Sequence, residues 1–157
     1  MGKVKLCLAS STGGHLTQLL QLEELSGNYD TFWVSEKSET SKNLLKNKKK
    51  YYFIQQDRKQ KAFIFKFLFN IFNAIFILAK ERPNVIITTG AGVVIPLCVF
   101  SKLINCKVIF IESFAKVDSP TITGKLLYKL KVINKTYVQS EKMLKHYETA
   151  VYRGTLY

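Results

Sequence analysis

The stretch Ser10-Ser11-Thr12-Gly13-Gly14-His15 joins an apolar run to an amphipathic one. Residues of these types at such a junction can hold an anion. Glycines let the chain turn tightly and bring bare N–H groups close to a guest, and a helix start adds partial positive charge there. Ser11, Thr12, Gly13 and Gly14 are therefore candidate phosphate-binding residues. His15 is the candidate for proton transfer, the task for which imidazole is suited near neutral pH. The same pattern also suits a plain tight turn in which His15 only caps the helix. It lacks the G-x-G-x-x-G spacing of a dinucleotide site and the Gly-Lys-Ser/Thr of a P-loop.

Two more loops begin where apolar runs end. Gly90, Ala91 and Gly92 either bring backbone close to a ligand or permit close packing. Glu112 and Ser113 open a longer loop. A carboxylate there suits sugar hydroxyls, and it equally suits capping Thr121 or pairing with a lysine.

The elements that must position these loops alternate along the chain. Strands are expected at Val4–Ala9, Thr31–Val34, Tyr51–Ile54, Val85–Thr88, Lys107–Ile111 and Lys135–Val138. Helices are expected at His15–Leu25, Glu39–Lys46, Lys61–Lys80, from Gly92 to Ile104, at Thr123–Leu130 and at Glu141–Tyr147, with Pro83 stopping the longest. Continuous apolar strands alternating with helices predict an α/β fold, a Rossmann-like doubly wound parallel sheet covered on both faces. Ligands of such sheets sit outside the carboxyl ends of the strands, where all three loops converge. The length of 157 residues suits one domain spanning 1–157.

The net charge is +13, and residues 31–62 alone contribute +6 of it. That basic stretch precedes Phe63–Ala79, which holds six phenylalanines and a single charge. On a helix, Lys66, Asn70, Asn73 and Lys80 form a narrow polar stripe and the rest is apolar. The run falls short of the length a bilayer span needs, about 20 apolar residues. It reads as a helix lying in the plane of an anionic membrane, with Phe63, Phe65, Phe67, Phe69, Phe72 and Phe76 inserted and Lys59, Lys61 and Lys66 at the head groups. Burial between the sheet and a neighbouring subunit is the second reading, and a true transmembrane span is the third. No zinc finger, RNP-type aromatic motif or helix-turn-helix supports a nucleic-acid partner. Cys7, Cys98 and Cys106 fit no metal spacing and read as buried thiols of a reducing compartment.

Taken together, Ser-Ser-Thr-Gly-Gly-His, Thr-Gly-Ala-Gly, Glu-Ser-Phe-Ala-Lys-Val and Thr-Gly-Lys-Leu-Leu-Tyr resemble a known family. It comprises the bacterial capsule and exopolysaccharide relatives of the membrane-anchoring subunit of the two-part UDP-N-acetylglucosamine transferase of lipid-linked oligosaccharide synthesis. The chain is more distantly similar to the amino-terminal half of the peptidoglycan enzyme that adds N-acetylglucosamine to a lipid-diphosphate acceptor. The resemblance implies the amino-terminal, acceptor-binding half of a GT-B glycosyltransferase. It implies a separate partner subunit that holds most of the UDP-sugar donor, a heterodimer, and a peripheral place on the cytoplasmic face of the plasma membrane.

Carried onto this chain, the resemblance places the acceptor's diphosphate on Thr12, Gly13 and Gly14. Gly90, Ala91 and Gly92 line the same cleft, Glu112 meets acceptor hydroxyls, and His15 either takes the proton of the attacking hydroxyl or orients the acceptor. Neither a metal nor a resident cofactor is expected. A non-catalytic membrane scaffold for the partner and a free-standing nucleotide-binding enzyme are the rival readings.

Overall fold

The computed structural model describes residues 3–56 and 62–156. Lys59 and Lys61 lie outside the described residues. Seven strands, β1 (Lys5–Ser10), β2 (Asp30–Glu36), β3 (Lys50–Phe53), β4 (Val85–Gly90), β5 (Lys107–Ile111), β6 (Lys135–Val138) and β7 (Ala150–Tyr152), form one sheet. Their order is β3-β2-β1-β4-β5-β6-β7, and every neighbouring pair is parallel. The chain builds outward from β1 to β3, then crosses back so that β4 flanks β1 on its other side. The crevice between β1 and β4 is thus the switch point at which such sheets bind ligands.

Alternate residues of the strands face two cores, as strand geometry requires. Cys7, Ala9, Val34, Ile86 and Val108 pack under α4 (Phe63–Glu81) and α5 (Ile95–Phe100), with Ala74, Ile77 and Leu97. Leu6, Leu8, Trp33 and Ile87 pack under α1 (Gly14–Leu20), with Leu16 and Leu19. The three cysteines are buried and unpaired.

Several boundaries differ from the sequence expectation. The first helix closes at Leu20 and a separate turn, α2 (Leu25–Asn28), follows. The expected helix from Gly92 to Ile104 is α5 flanked by two 3-10 segments. Pro96 opens α5, where its missing N–H costs nothing. Strand β7 has only three residues, too few to show a period, and was not foreseen. The segment Glu141–His146 is a 3-10 helix rather than an α-helix. α3 (Glu39–Leu44) starts at a reciprocal cap, in which the Ser38 Oγ accepts from Ser41 N and the Ser41 Oγ accepts from Ser38 N, each at 3.0 Å. α6 (Ile122–Lys129) is capped by Thr121, whose Oγ1 accepts from Gly124 N at 3.0 Å.

α4 departs most from expectation in its polar stripe. Asn70 is fully buried and pairs with the end of β3 as a neighbouring strand would. Its Nδ2 donates to Ile54 O at 2.8 Å and its Oδ1 accepts from Ile54 N at 2.9 Å. Asn73 Nδ2 donates to Tyr52 O at 2.9 Å. These amides close the edge beside β3 instead of facing solvent. The helix stops at Arg82, whose φ of 45° is left-handed, immediately before Pro83.

Candidate functional site

The carboxyl ends of β1 and β4 set the site. Their register slips between Ala9 and Ser10, so that Ser10 faces Gly90 and Thr89 is left without a partner in the ladder. Such a bulge turns the extra residue's groups away from the sheet. Here they turn to His15. The His15 ring Nδ1 lies 2.8 Å from Thr89 O, and the Thr89 Oγ1 donates to His15 O at 2.8 Å. A carbonyl only accepts, so Nδ1 carries a proton, and in the neutral ring Nε2 is the acceptor. The ring also reaches over Gly90, where an added Cβ would stand 4.0 Å from His15 Cε1 and 3.4 Å from Phe110 Cε2. One half-buried imidazole therefore ties the two glycine turns together.

The first turn bends at Gly13, whose φ of 74° and ψ of −144° precede α1. Gly13 and Gly14 are exposed, and nothing stands within 4 Å of a Cβ built on either. Their backbone is open to a ligand. The second turn passes through Gly90 at φ 99° and Ala91 at φ 77°. With ψ of 154°, Ala91 occupies a region that is essentially glycine's alone, a strain of about 1–3 kcal/mol that surrounding structure must hold in place.

Sequence reasoning missed the acid beside these turns. Glu36, at the end of β2, is only 7% exposed. Its Oε2 accepts from Thr12 N at 3.4 Å and its Oε1 from Gln56 N at 3.3 Å. Ser11, Glu36, Gln56, Ala91, Gly92 and the rings of Phe63 and Phe67 line a cavity of about 280 Å³. Strand pairing was the missing signal: parallel pairing sets Ala9 against Val34, which brings Ser11 and Glu36 side by side two residues on.

Glu112 makes the Thr121 contact that the sequence analysis set beside sugar binding. It is fully buried, and its carboxylate accepts from Ser113 N at 2.9 Å, Thr121 N at 3.1 Å and the Tyr147 hydroxyl at 2.6 Å. It organises the 113–121 loop, with its carboxylate taken up by these internal donors. The Tyr147 hydroxyl is correspondingly pushed up in pKa, first by burial and then by its bond to Glu112. Ser113 is half-buried at the start of that loop.

The aromatic residues of α4 divide. Phe63 and Phe67, one helical turn apart, are half-buried and stack with centroids 6.1 Å apart, facing the cavity rather than outward. Phe65, Phe69, Phe72 and Phe76 are exposed, Phe65 by 77% and Phe72 by 71%. Lys66 is half-buried.

Residues 6–156 match the family described as oligosaccharide biosynthesis protein Alg14 like. The chain belongs to the Alg14-like family. Among its relatives is the rat UDP-N-acetylglucosamine transferase subunit ALG14, 22% identical over 96% of this chain and 82% of that protein. Another is the Borreliella afzelii UDP-N-acetylglucosamine--N-acetylmuramyl-(pentapeptide) pyrophosphoryl-undecaprenol N-acetylglucosamine transferase. It is 27% identical over 98% of this chain and 45% of that enzyme. The chain thus spans about half the length of such bacterial relatives. The crystal structure of Acinetobacter baumannii MurG superposes with a TM-score of 0.77 at 19% identity, over 99% of this chain and 46% of that one. The Alg14-like chain therefore has the Rossmann-like fold of the amino-terminal half of a GT-B protein.

Proposed function

We propose that the chain is the acceptor- and membrane-binding subunit of a two-component glycosyltransferase. The enzyme moves a sugar from a UDP-sugar to a lipid-diphosphate-linked acceptor in capsule or exopolysaccharide synthesis. The observation that carries this reading is the His15–Thr89 clasp, which leaves Nε2 as an acceptor between two glycine turns at the sheet's switch point. The relatives' names support the reaction class: one is a transferase acting on a pyrophosphoryl-undecaprenol acceptor, another a transferase subunit. The polysaccharide setting is carried over from the resemblance of the loop motifs.

In this reading the exposed N–H groups of the Gly13-Gly14 turn and the α1 start receive the acceptor's diphosphate. The acceptor hydroxyl lies against His15 Nε2. As its oxygen attacks the donor's anomeric carbon and UDP departs, Nε2 takes the hydroxyl proton. The partner subunit holds most of the donor, and no metal is assigned to this chain. The outward aromatic face of α4 enters the cytoplasmic leaflet. α4 is long and apolar enough to span a membrane by length and composition. However, its Asn70, Ala74, Ile77, Leu78 and Glu81 face is buried against the protein, which favours an in-plane arrangement.

The test is sugar transfer by the chain and its partner on vesicles carrying the lipid-diphosphate acceptor. His15→Ala should lower kcat by about 10²–10⁴-fold. Undiminished kcat would make the chain a non-catalytic membrane scaffold, and transfer by the chain alone would overturn the two-component reading.

A further inference from the structure

The helices over one sheet face carry exposed apolar residues well beyond the outward rings of α4. α5 lies between α4 and α6, and all three pack on the same side of the sheet, through Ala74, Leu97 and Leu127. α6 is fixed on both flanks. On one, the Tyr128 ring meets Tyr147 edge-on at 5.1 Å. On the other, Lys102 Nζ, from the 3-10 turn that follows α5, donates to Leu130 O at 3.2 Å. The flank toward α5 carries Ile122, Leu126 and Leu130, spaced so that they share one side of the helix, and all three are exposed. Across α5, α4 offers a matching flank of Ile64, Leu68 and Ile75, also exposed. Its other flank is the one that Asn73 ties to Tyr52 O. Leu103, in the turn between, is 78% exposed.

Charge is segregated between the two sides of the sheet. Residues 62–133 hold nine lysines and arginines and three acids. Of those acids, Glu81 and Glu112 are buried, and Asp118 pairs with Lys142 at 3.7 Å. The exposed Glu23, Glu24 and Glu39 belong to the opposite layer. An apolar surface set among lysines, with its acids buried or paired, suits an anionic bilayer. Protein interfaces are instead depleted in lysine.

Resting on the membrane reading of α4, we propose that α6 and Leu103 form a second contact with an anionic bilayer, so that the whole helical layer lies on the lipid. Ile122, Leu126, Leu130 and Leu103 enter the acyl boundary, and Lys125, Lys129 and Lys131 reach the head groups. α6 has eight residues, too few to cross a bilayer. A contact shared with it therefore requires α4 to lie in the membrane plane. Both helices start from the sheet's carboxyl edge, so the glycine turns stand beside the leaflet. A lipid-anchored acceptor reaches them without leaving it.

The full chain with single labelled cysteines tests this, since its own three thiols are buried. Phe72→Cys, Leu126→Cys and Glu24→Cys each carry a nitrobenzoxadiazole label and are mixed with phosphatidylglycerol vesicles. The labels replacing Phe72 and Leu126 should both shift to the blue and be quenched by nitroxide-bearing acyl chains, and the label replacing Glu24 should do neither. Lys125→Gln with Lys129→Gln should weaken vesicle binding about tenfold or more and leave the melting transition unchanged. A response at Phe72 with none at Leu126 would overturn the second contact and leave the membrane role of α4 standing. Undiminished binding by the lysine variant would overturn it as well. No response at either position in a folded chain would overturn the second contact and the membrane reading together.

Discussion

His15 and Thr89 hold one another twice, ring Nδ1 to Thr89 O and Thr89 Oγ1 to His15 O, both at 2.8 Å. The pair joins the start of α1 to the bulge at the end of β4, and so ties the two glycine turns together. Thr89→Val keeps the shape and removes the donor, leaving His15 O short of a partner. Unfolding in urea should show a loss of about 1–2 kcal/mol. Transfer by the proposed two-component enzyme should fall as well, because the His15 backbone loses its tether to the bulge while the ring keeps its bond to Thr89 O.

Gly124 sits against the Glu112 network. A Cβ there would collide with the Tyr147 hydroxyl and stand 2.7 Å from Glu112 Oε2 and 2.9 Å from Phe110 Cε1. Gly124→Ala should destabilise the fold by about 1–3 kcal/mol through overpacking. Tyr147→Phe removes the hydroxyl that makes the worst contact, so the double variant should lose less than the sum of the single losses. Thermal or urea melts of the four proteins check this.

Acid should weaken the fold through Glu81. Burial alone would raise this carboxyl, but hydrogen bonds from Lys49 at 2.8 Å, from Tyr51 and from Lys5 at 3.2 Å outweigh it and hold its pKa at about 2. The same pairing raises Lys5, while burial foremost pushes Tyr51 up to about 12. A carboxyl lowered on folding contributes stability that is complete above its ordinary value of 4.5 and is lost as pH falls toward about 2. The contribution is on the order of 3 kcal/mol. Glu81→Gln should flatten that part of the pH–stability curve measured between pH 5 and 2.

The outward rings of α4 should govern membrane attachment without governing the fold. Phe65→Glu with Phe72→Glu changes two exposed positions, so the melting transition should stay within about 1 kcal/mol of the native chain. Flotation with anionic vesicles should fall at least about 100-fold, each lost ring removing about 1.5–3 kcal/mol of apolar transfer. Unchanged flotation would assign this face to another protein surface.

Burial foremost raises Cys7 and pushes Cys98 and Cys106 up to about 12. The thiolate is the reactive form. All three should therefore resist a thiol reagent at pH 8 in the native state and react at the rate of unfolding, as timed spectrophotometry would show.

Strand positions and the convergence of three loops were legible because parallel strands buried on both faces read as apolar runs. Gly13 and Gly14 were legible because a turn feeding a helix favours small residues. Glu36 was not, since its neighbours on the page of the sequence, Ser35 and Lys37, say nothing of Ser11 and Gln56. The burial of Asn70 was equally hidden: helical periodicity groups it with Lys66 and Asn73, and only the unpaired end of β3 explains why an amide belongs there.

By itself, then, the sequence determined the parallel α/β fold, the edge on which ligands would gather and the apolar character of α4. Those depend on local pattern, which a linear chain displays. The tertiary structure alone decided which polar groups meet: His15 with Thr89, Glu36 with Gln56, and Glu112 with Tyr147. Each meeting joins residues distant along the chain, and strand register together with the bulge at Thr89 brings them within hydrogen-bond reach.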